Sequence, residues 1–104
     1  MPGFDRTVHE PARLAVLTVL DGTAKADFVF LLRLLGLTQG NLSSHLSKLQ
    51  AAGLITLTKT AGGIGPRTFA AITDSGKAAV QEHWKKLDEL RKLSGDQQAG
   101  TGVD

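Results

Sequence analysis

The chain contains no cysteine, which removes disulfides, thiolate metal sites and cysteine nucleophiles and suits a reducing cytosol. No apolar run approaches the roughly 20 residues that span a bilayer. The first residues, MPGFDRTVHEP, lack the apolar core of a signal peptide. A cytoplasmic protein with no membrane partner is expected. Carboxylates are missing from the middle of the chain. All ten acidic residues lie before Phe28 or after Thr73, and the stretch between them carries Arg33, Lys48, Lys59 and Arg67. A formal net charge of +2 does not by itself argue for a polyanion partner. An acid-free segment punctuated by cations, however, is what a surface approaching phosphates requires.

Catalytic constellations are also lacking. His9, His45 and His83 fall on separate elements, without HxxxH spacing or a carboxylate cluster beside them, so no metal is expected except one shared across a dimer. Ser43, Ser44 and Ser47 have no histidine and acid arranged to activate them, since His45 next to Ser44 points to another helix face. Gly62-Gly-Ile-Gly65 lacks the Lys-Ser/Thr ending of a P-loop and leads into a strand, so no helix N-terminus is there to hold an anion. No enzymatic activity and no cofactor are expected.

What is present suits one globular domain: 104 residues, 41% of them hydrophobic. Leu14, Val16, Leu17 and Leu20 recur at helical spacing after Pro11, a residue favoured at the first helical position, and this helix should end near Asp21-Gly22. A second segment, 26–35, is apolar on most sides, reads as a core helix and stops at Gly36. Thr38 can cap a third helix, with Leu37 and Leu42 placed as a hydrophobic staple, so the chain restarts after a very short turn and the two helices must cross steeply. Leu42, Leu46, Leu49 and Gly53 then form one stripe, leaving Gly40, Ser43, Ser44, Ser47 and Lys48 on the opposite face. Serine and glycine are mediocre helix formers for an exposed face, but such small side chains let a helix backbone sink close to a groove.

From Leu54 to Thr60 apolar residues and Lys59 alternate with threonines, and a glycine-rich tip leads into Arg67-Thr-Phe-Ala-Ala-Ile72, which together read as a β-hairpin. Lys59 enters the tip and Arg67 leaves it, with no acidic neighbour inside the hairpin, so both are placed to meet a phosphate or the minor groove. In the last helix, about 73–93, Val80, His83, Trp84, Leu87 and Leu90 share one side. Its length exceeds what so small a core can cover, and a second copy is expected on that stripe. Residues 94–104 lack apolar periodicity and read as a disordered tail.

Thr38-Gln-Gly-Asn-Leu-Ser-Ser-His-Leu-Ser-Lys-Leu-Gln-Ala-Ala-Gly-Leu-Ile55 resembles the recognition-helix signature of winged-helix regulators related to the MarR and ArsR families. Glu10-Pro-Ala-Arg-Leu14 resembles the opening of their first helix, Gly65-Pro-Arg-Thr68 their wing, and Ile72-Thr73 with Ser75-Gly76 the start of their last helix. The resemblance covers 5–93 and is nearest to small stand-alone MarR-like proteins. It implies a mainly α (α+β) winged helix-turn-helix fold: a three-helix core, a two-stranded β-wing and a long C-terminal dimerisation helix. It further implies a transcriptional regulator, a repressor in expectation, acting on double-stranded DNA as a homodimer, with an apolar pocket able to admit a small-molecule effector. The thiolate ligands of the ArsR metal sensors are missing. Thr38, Gln39, Gly40, Asn41, Ser43, Ser44, Ser47, Lys48, Lys59 and Arg67 are the expected DNA contacts. Val80, His83, Trp84, Leu87 and Leu90 are the expected dimer contacts. A winged helix used only for protein–protein interaction is the alternative.

Overall fold

The computed structural model describes residues 8, 10–61 and 65–100, with 96–100 described as backbone only. His9, residues 62–64 of the hairpin tip, and the tail beyond Gly100 lie outside the described residues. The elements run α1 (Pro11–Asp21), β1 (Ala26–Asp27), α2 (Phe28–Leu35), α3 (Gln39–Ala51), β2 (Ile55–Thr60), β3 (Arg67–Ile72) and α4 (Asp74–Gly100).

Local chemistry sets most of these boundaries. Pro11 opens α1, where its missing N–H costs nothing, and the Glu10 carboxylate accepts from the Arg13 N–H at 3.0 Å. Gly36 ends α2 at φ +65°, a left-handed conformation that a Cβ would penalise, and its N–H reaches the Leu32 carbonyl at 3.0 Å. Thr38 caps α3 by accepting from the Asn41 N–H at 3.2 Å. The helix-turn-helix therefore turns within Gly36-Leu37-Thr38, and both staple leucines lie in or against the core.

The core is assembled from one stripe per element: Val16, Leu17 and Leu20 of α1, Leu31 of α2, Leu42, Leu46 and Leu49 of α3, Ile55 and Ala70 of the sheet, and Val80 of α4. The sheet has three antiparallel strands in the order β1-β3-β2, one more than the expected hairpin. Its extra strand, Ala26–Asp27, takes the first two residues assigned from the sequence to the second helix. Ala26 pairs with Ala70 and is buried, a place on the sheet that periodicity within 26–35 did not reveal. As a core helix α2 buries one face, with Leu31 sealed and Phe28, Leu32 and Leu35 packed against the core, while Val29, Phe30 and Leu34 on its other side are about half exposed.

The last helix has 27 residues, about 40 Å at 1.5 Å per residue, and contributes about two thirds of the length of a molecule 61 Å long and only 24 by 23 Å across. It runs to Gly100, past the expected start of the tail at Ser94. Thr73 fastens its N-terminal end to the loop after α3. Its N–H donates to the Leu54 carbonyl at 3.0 Å, its hydroxyl donates to the Gly53 carbonyl at 2.7 Å, and the same oxygen accepts from the Gly76 N–H at 3.0 Å.

Candidate nucleic-acid interface

Because Leu42, Leu46 and Leu49 face the core, helical geometry turns the rest of α3 outward. Thr38, Gln39, Gly40, Asn41, Ser43, Ser44, Ser47 and Lys48 are all exposed. His45 lies between the two faces, partly buried, with Nδ1 3.5 Å from the Glu10 carboxylate. This contact joins the start of α1 to the middle of α3. Burial alone would raise the Glu10 pKa, but the Arg13 and Ala12 backbone N–H groups, with the charges of His45 and Arg13, outweigh it and hold the carboxyl below its ordinary value. Among the described residues, no group of three or more His, Cys, Asp or Glu side chains is arranged to hold a metal.

Strand register decides which way the wing's cations point. Successive side chains alternate between faces. Ile55, Leu57 and Lys59 pair with Ile72, Ala70 and Thr68 on the face toward the core, whereas Thr58 and Thr60 pair with Phe69 and Arg67 on the other. Lys59 and Thr68 thus extend the inner face beyond the core and meet α3 across a cleft of about 520 Å³, whose lining includes Ser43, Ser47 and Gln50. Gln50 and Thr68 were missed from the sequence. Gln50 was in principle legible, being three residues beyond Ser47 on the same outer face, whereas Thr68 needed the register.

Arg67 stands on the opposite face and is not free of acidic neighbours, as the hairpin alone suggested. Asp27 of β1 pairs with it: Oδ2 accepts from Arg67 Nε at 2.9 Å and from Nη2, while Oδ1 accepts from the Val29 N–H at 2.8 Å and caps α2. Hydrogen bonding from Arg67 first, then from Val29, holds the Asp27 carboxyl below its usual range. Phe69, opposite Asp27 in the register, carries Lys25 Nζ at 4.5 Å and the Arg67 guanidinium carbon at 5.2 Å from its ring centre.

The expected dimer stripe divides in two. Val80 and His83 are buried within the chain itself, so they are committed to its own core and have little surface left for a second copy. The His83 ring meets Trp84 edge-on at 5.6 Å between centroids. Trp84 and Leu90 are each 47% exposed and Leu93 is 62% exposed. Trp84 lies between two shallow apolar depressions. One, about 390 Å³, is lined on α1 by Pro11, Leu14, Ala15, Thr18 and Val19. The other, about 380 Å³, lies along α4 with Leu87, Asp88 and Arg91.

Residues 12–91 match the family described as winged helix DNA-binding domain, and the chain belongs to that family. It is 31% identical over 80 residues to an uncharacterized protein of Methanocaldococcus jannaschii, covering 77% of this chain and 87% of the relative. The fold is similar to that of a transcriptional regulator homologue from Pyrococcus horikoshii OT3, at 31% identity and a TM-score of 0.80 over 85% of this chain and 87% of the other. It is also similar in fold to the PcaV transcriptional regulator from Streptomyces coelicolor, solved with its natural ligand, at 19% identity and a TM-score of 0.73 over 95% and 72% of the two chains. The protein is thus a winged-helix DNA-binding member of the transcriptional regulators, a class defined by binding and not by catalysis. Among the described residues no helix is long and apolar enough to cross a membrane.

Proposed function

We infer that the protein is a sequence-specific regulator of transcription that binds double-stranded DNA as a homodimer and represses by occupying its site. The observation that carries this is the outer face of α3. Its small polar side chains are all exposed opposite a sealed leucine stripe, and Ser43 and Ser47 share a cleft with Lys59 of the wing. In this arrangement α3 enters the major groove, with Gln39, Asn41, Ser43, Ser44 and Ser47 toward the bases and Thr38, Gly40 and Lys48 along the backbone. The cleft beside α3 leaves room for a backbone phosphate within reach of Lys59.

The stripe of half-exposed Trp84 and Leu90 with the partly buried Leu87, continuous with α1, supports a second copy of the chain. A two-fold dimer sets its recognition helices about one DNA turn apart, so the operator is palindromic. PcaV, solved in complex with its natural ligand, lends support to a small-molecule effector.

Replacing Ser44 and Ser47 with glutamate tests the central claim. Binding to a duplex selected from a random pool should vanish while circular dichroism and the melting curve stay unchanged; undiminished affinity would refute the assignment. The half-exposed Val29, Phe30 and Leu34 of α2 favour a second function, docking to a protein partner. Salt discriminates the two: phosphate contacts weaken steeply as salt rises, and an apolar interface does not.

A further inference from the structure

Asp27 is an acid at the edge of a surface built for phosphates, and its cap on α2 does not explain its charge. Asparagine caps a helix about as well, so the Oδ1 contact to Val29 needs no carboxylate. Beyond what the cap and the start of the helix gain from a negative charge, the carboxylate supplies charge compensation for Arg67. The pair bridges 40 positions of sequence. Stability is a weak reason for it, because an exposed ion pair adds little.

The geometry gives the pair another consequence. Asp27 holds the Nε–Nη2 edge of the guanidinium and sits inside it, the Asp27 side chain 16% exposed against 59% for Arg67. Viewed from beyond the Debye length of about 8–10 Å, the two charges cancel and Arg67 attracts no polyanion. At contact the outer guanidinium edge still has N–H groups to donate to a phosphate. Lys59, on the opposite face of the sheet, has no such compensation from Asp27.

We propose that Asp27 is a specificity-determining residue that masks Arg67 from mixed-sequence DNA and lets it contribute only when the docked recognition helix brings a backbone phosphate into contact. This rests on the DNA-binding function inferred above. Non-specific binding is dominated by counterion release, so masking one cation lowers it selectively and widens the gap between operator and random DNA.

The test is a double-mutant cycle with Asp27→Asn, which keeps the cap, and Arg67→Gln, in the full chain. On a mixed-sequence duplex at about 0.1 M salt, unmasking one phosphate contact should tighten binding about eightfold and steepen the salt slope by about 0.9. With Arg67→Gln present, Asp27→Asn should leave the salt slope unchanged, because no masked cation remains to neutralise a phosphate. On a duplex selected by the unmodified chain from a random pool, where Arg67 is already engaged, the gain should also stay below about twofold. The proposal is overturned by weaker binding of Asp27→Asn, by an equally steepened salt slope without Arg67, or by equal gains on both duplexes. If the unmodified chain binds neither duplex, the DNA-binding function itself fails and the mask with it; if it binds both and Asp27→Asn changes nothing, the mask alone fails.

Discussion

Gly76→Ala should destabilise this protein although it improves a helix. Gly76 lies in the first turn of α4, where that helix crosses the loop that follows α3. A Cβ there would overlap the Leu54 carbonyl oxygen and stand 2.7 Å from Ile72 Cγ1. The Leu54 oxygen cannot simply retreat, because it accepts the Thr73 N–H at 3.0 Å in the same junction. Helix propensity alone would favour alanine by about 1 kcal/mol. Overpacking of this kind costs about 1–3 kcal/mol, and loosening the Thr73 hydrogen bond adds about 1 kcal/mol. The net expectation is a loss of about 1–3 kcal/mol, which for a domain of this size lowers Tm by roughly 5–20 °C. Urea and thermal denaturation followed by circular dichroism measure it. Gly40→Ala is the matched control: nothing lies within 4 Å of a Cβ at that exposed site, so stability should rise by up to about 0.5–1 kcal/mol. A Gly76→Ala protein as stable as its parent would refute the close crossing of α4 over the Leu54 loop.

Leu87→Asp with Leu90→Asp should leave a folded monomer. Removing the partly buried Leu87 and the half-exposed Leu90 from both copies forfeits about 3–6 kcal/mol of apolar burial, a dissociation constant raised roughly a hundredfold to ten-thousandfold. Sedimentation of the unmodified protein as a monomer at micromolar concentration, with and without operator DNA, would remove the dimer. Lys59→Ala should weaken duplex binding about eightfold near 0.1 M salt and lower the salt slope by about 0.9; an unchanged slope would place Lys59 away from the backbone. Glu10, Asp27 and Asp88 all have carboxyls held below their ordinary values, Asp88 by hydrogen bonds from Arg91 and Lys92. A depressed folded-state pKa stabilises above the unfolded value and is lost as pH falls through the folded one. Stability should therefore decline below about pH 4, and Glu10→Gln with Asp27→Asn should flatten that decline in urea midpoints. An acid limb equally steep in the variant would argue against these pairs.

Short-range chemistry was legible in the chain itself. The Thr38 cap, the leucine stripe of α3, the proline at the head of α1, the glycine closing α2 and the alternation of β2 each depend on residues within a turn or a strand of one another. For the same reason the exposed face of α3 followed from its buried one. Only the tertiary structure decided what depends on distant neighbours. Two residues cannot announce a strand, so β1 and the pairing of Ala26 with Ala70 emerged only once β3 was in place. The same pairing brought Asp27 to Arg67 and turned an apparently unopposed wing cation into a compensated one. Amphipathic periodicity marked one continuous stripe on α4, but the small core covers only its first turns, sealing Val80 and His83 and leaving Trp84, Leu90 and Leu93 exposed. Helical and strand periods fix which side chains share a face. What covers that face depends on where the chain returns, and that is settled by packing across the whole molecule.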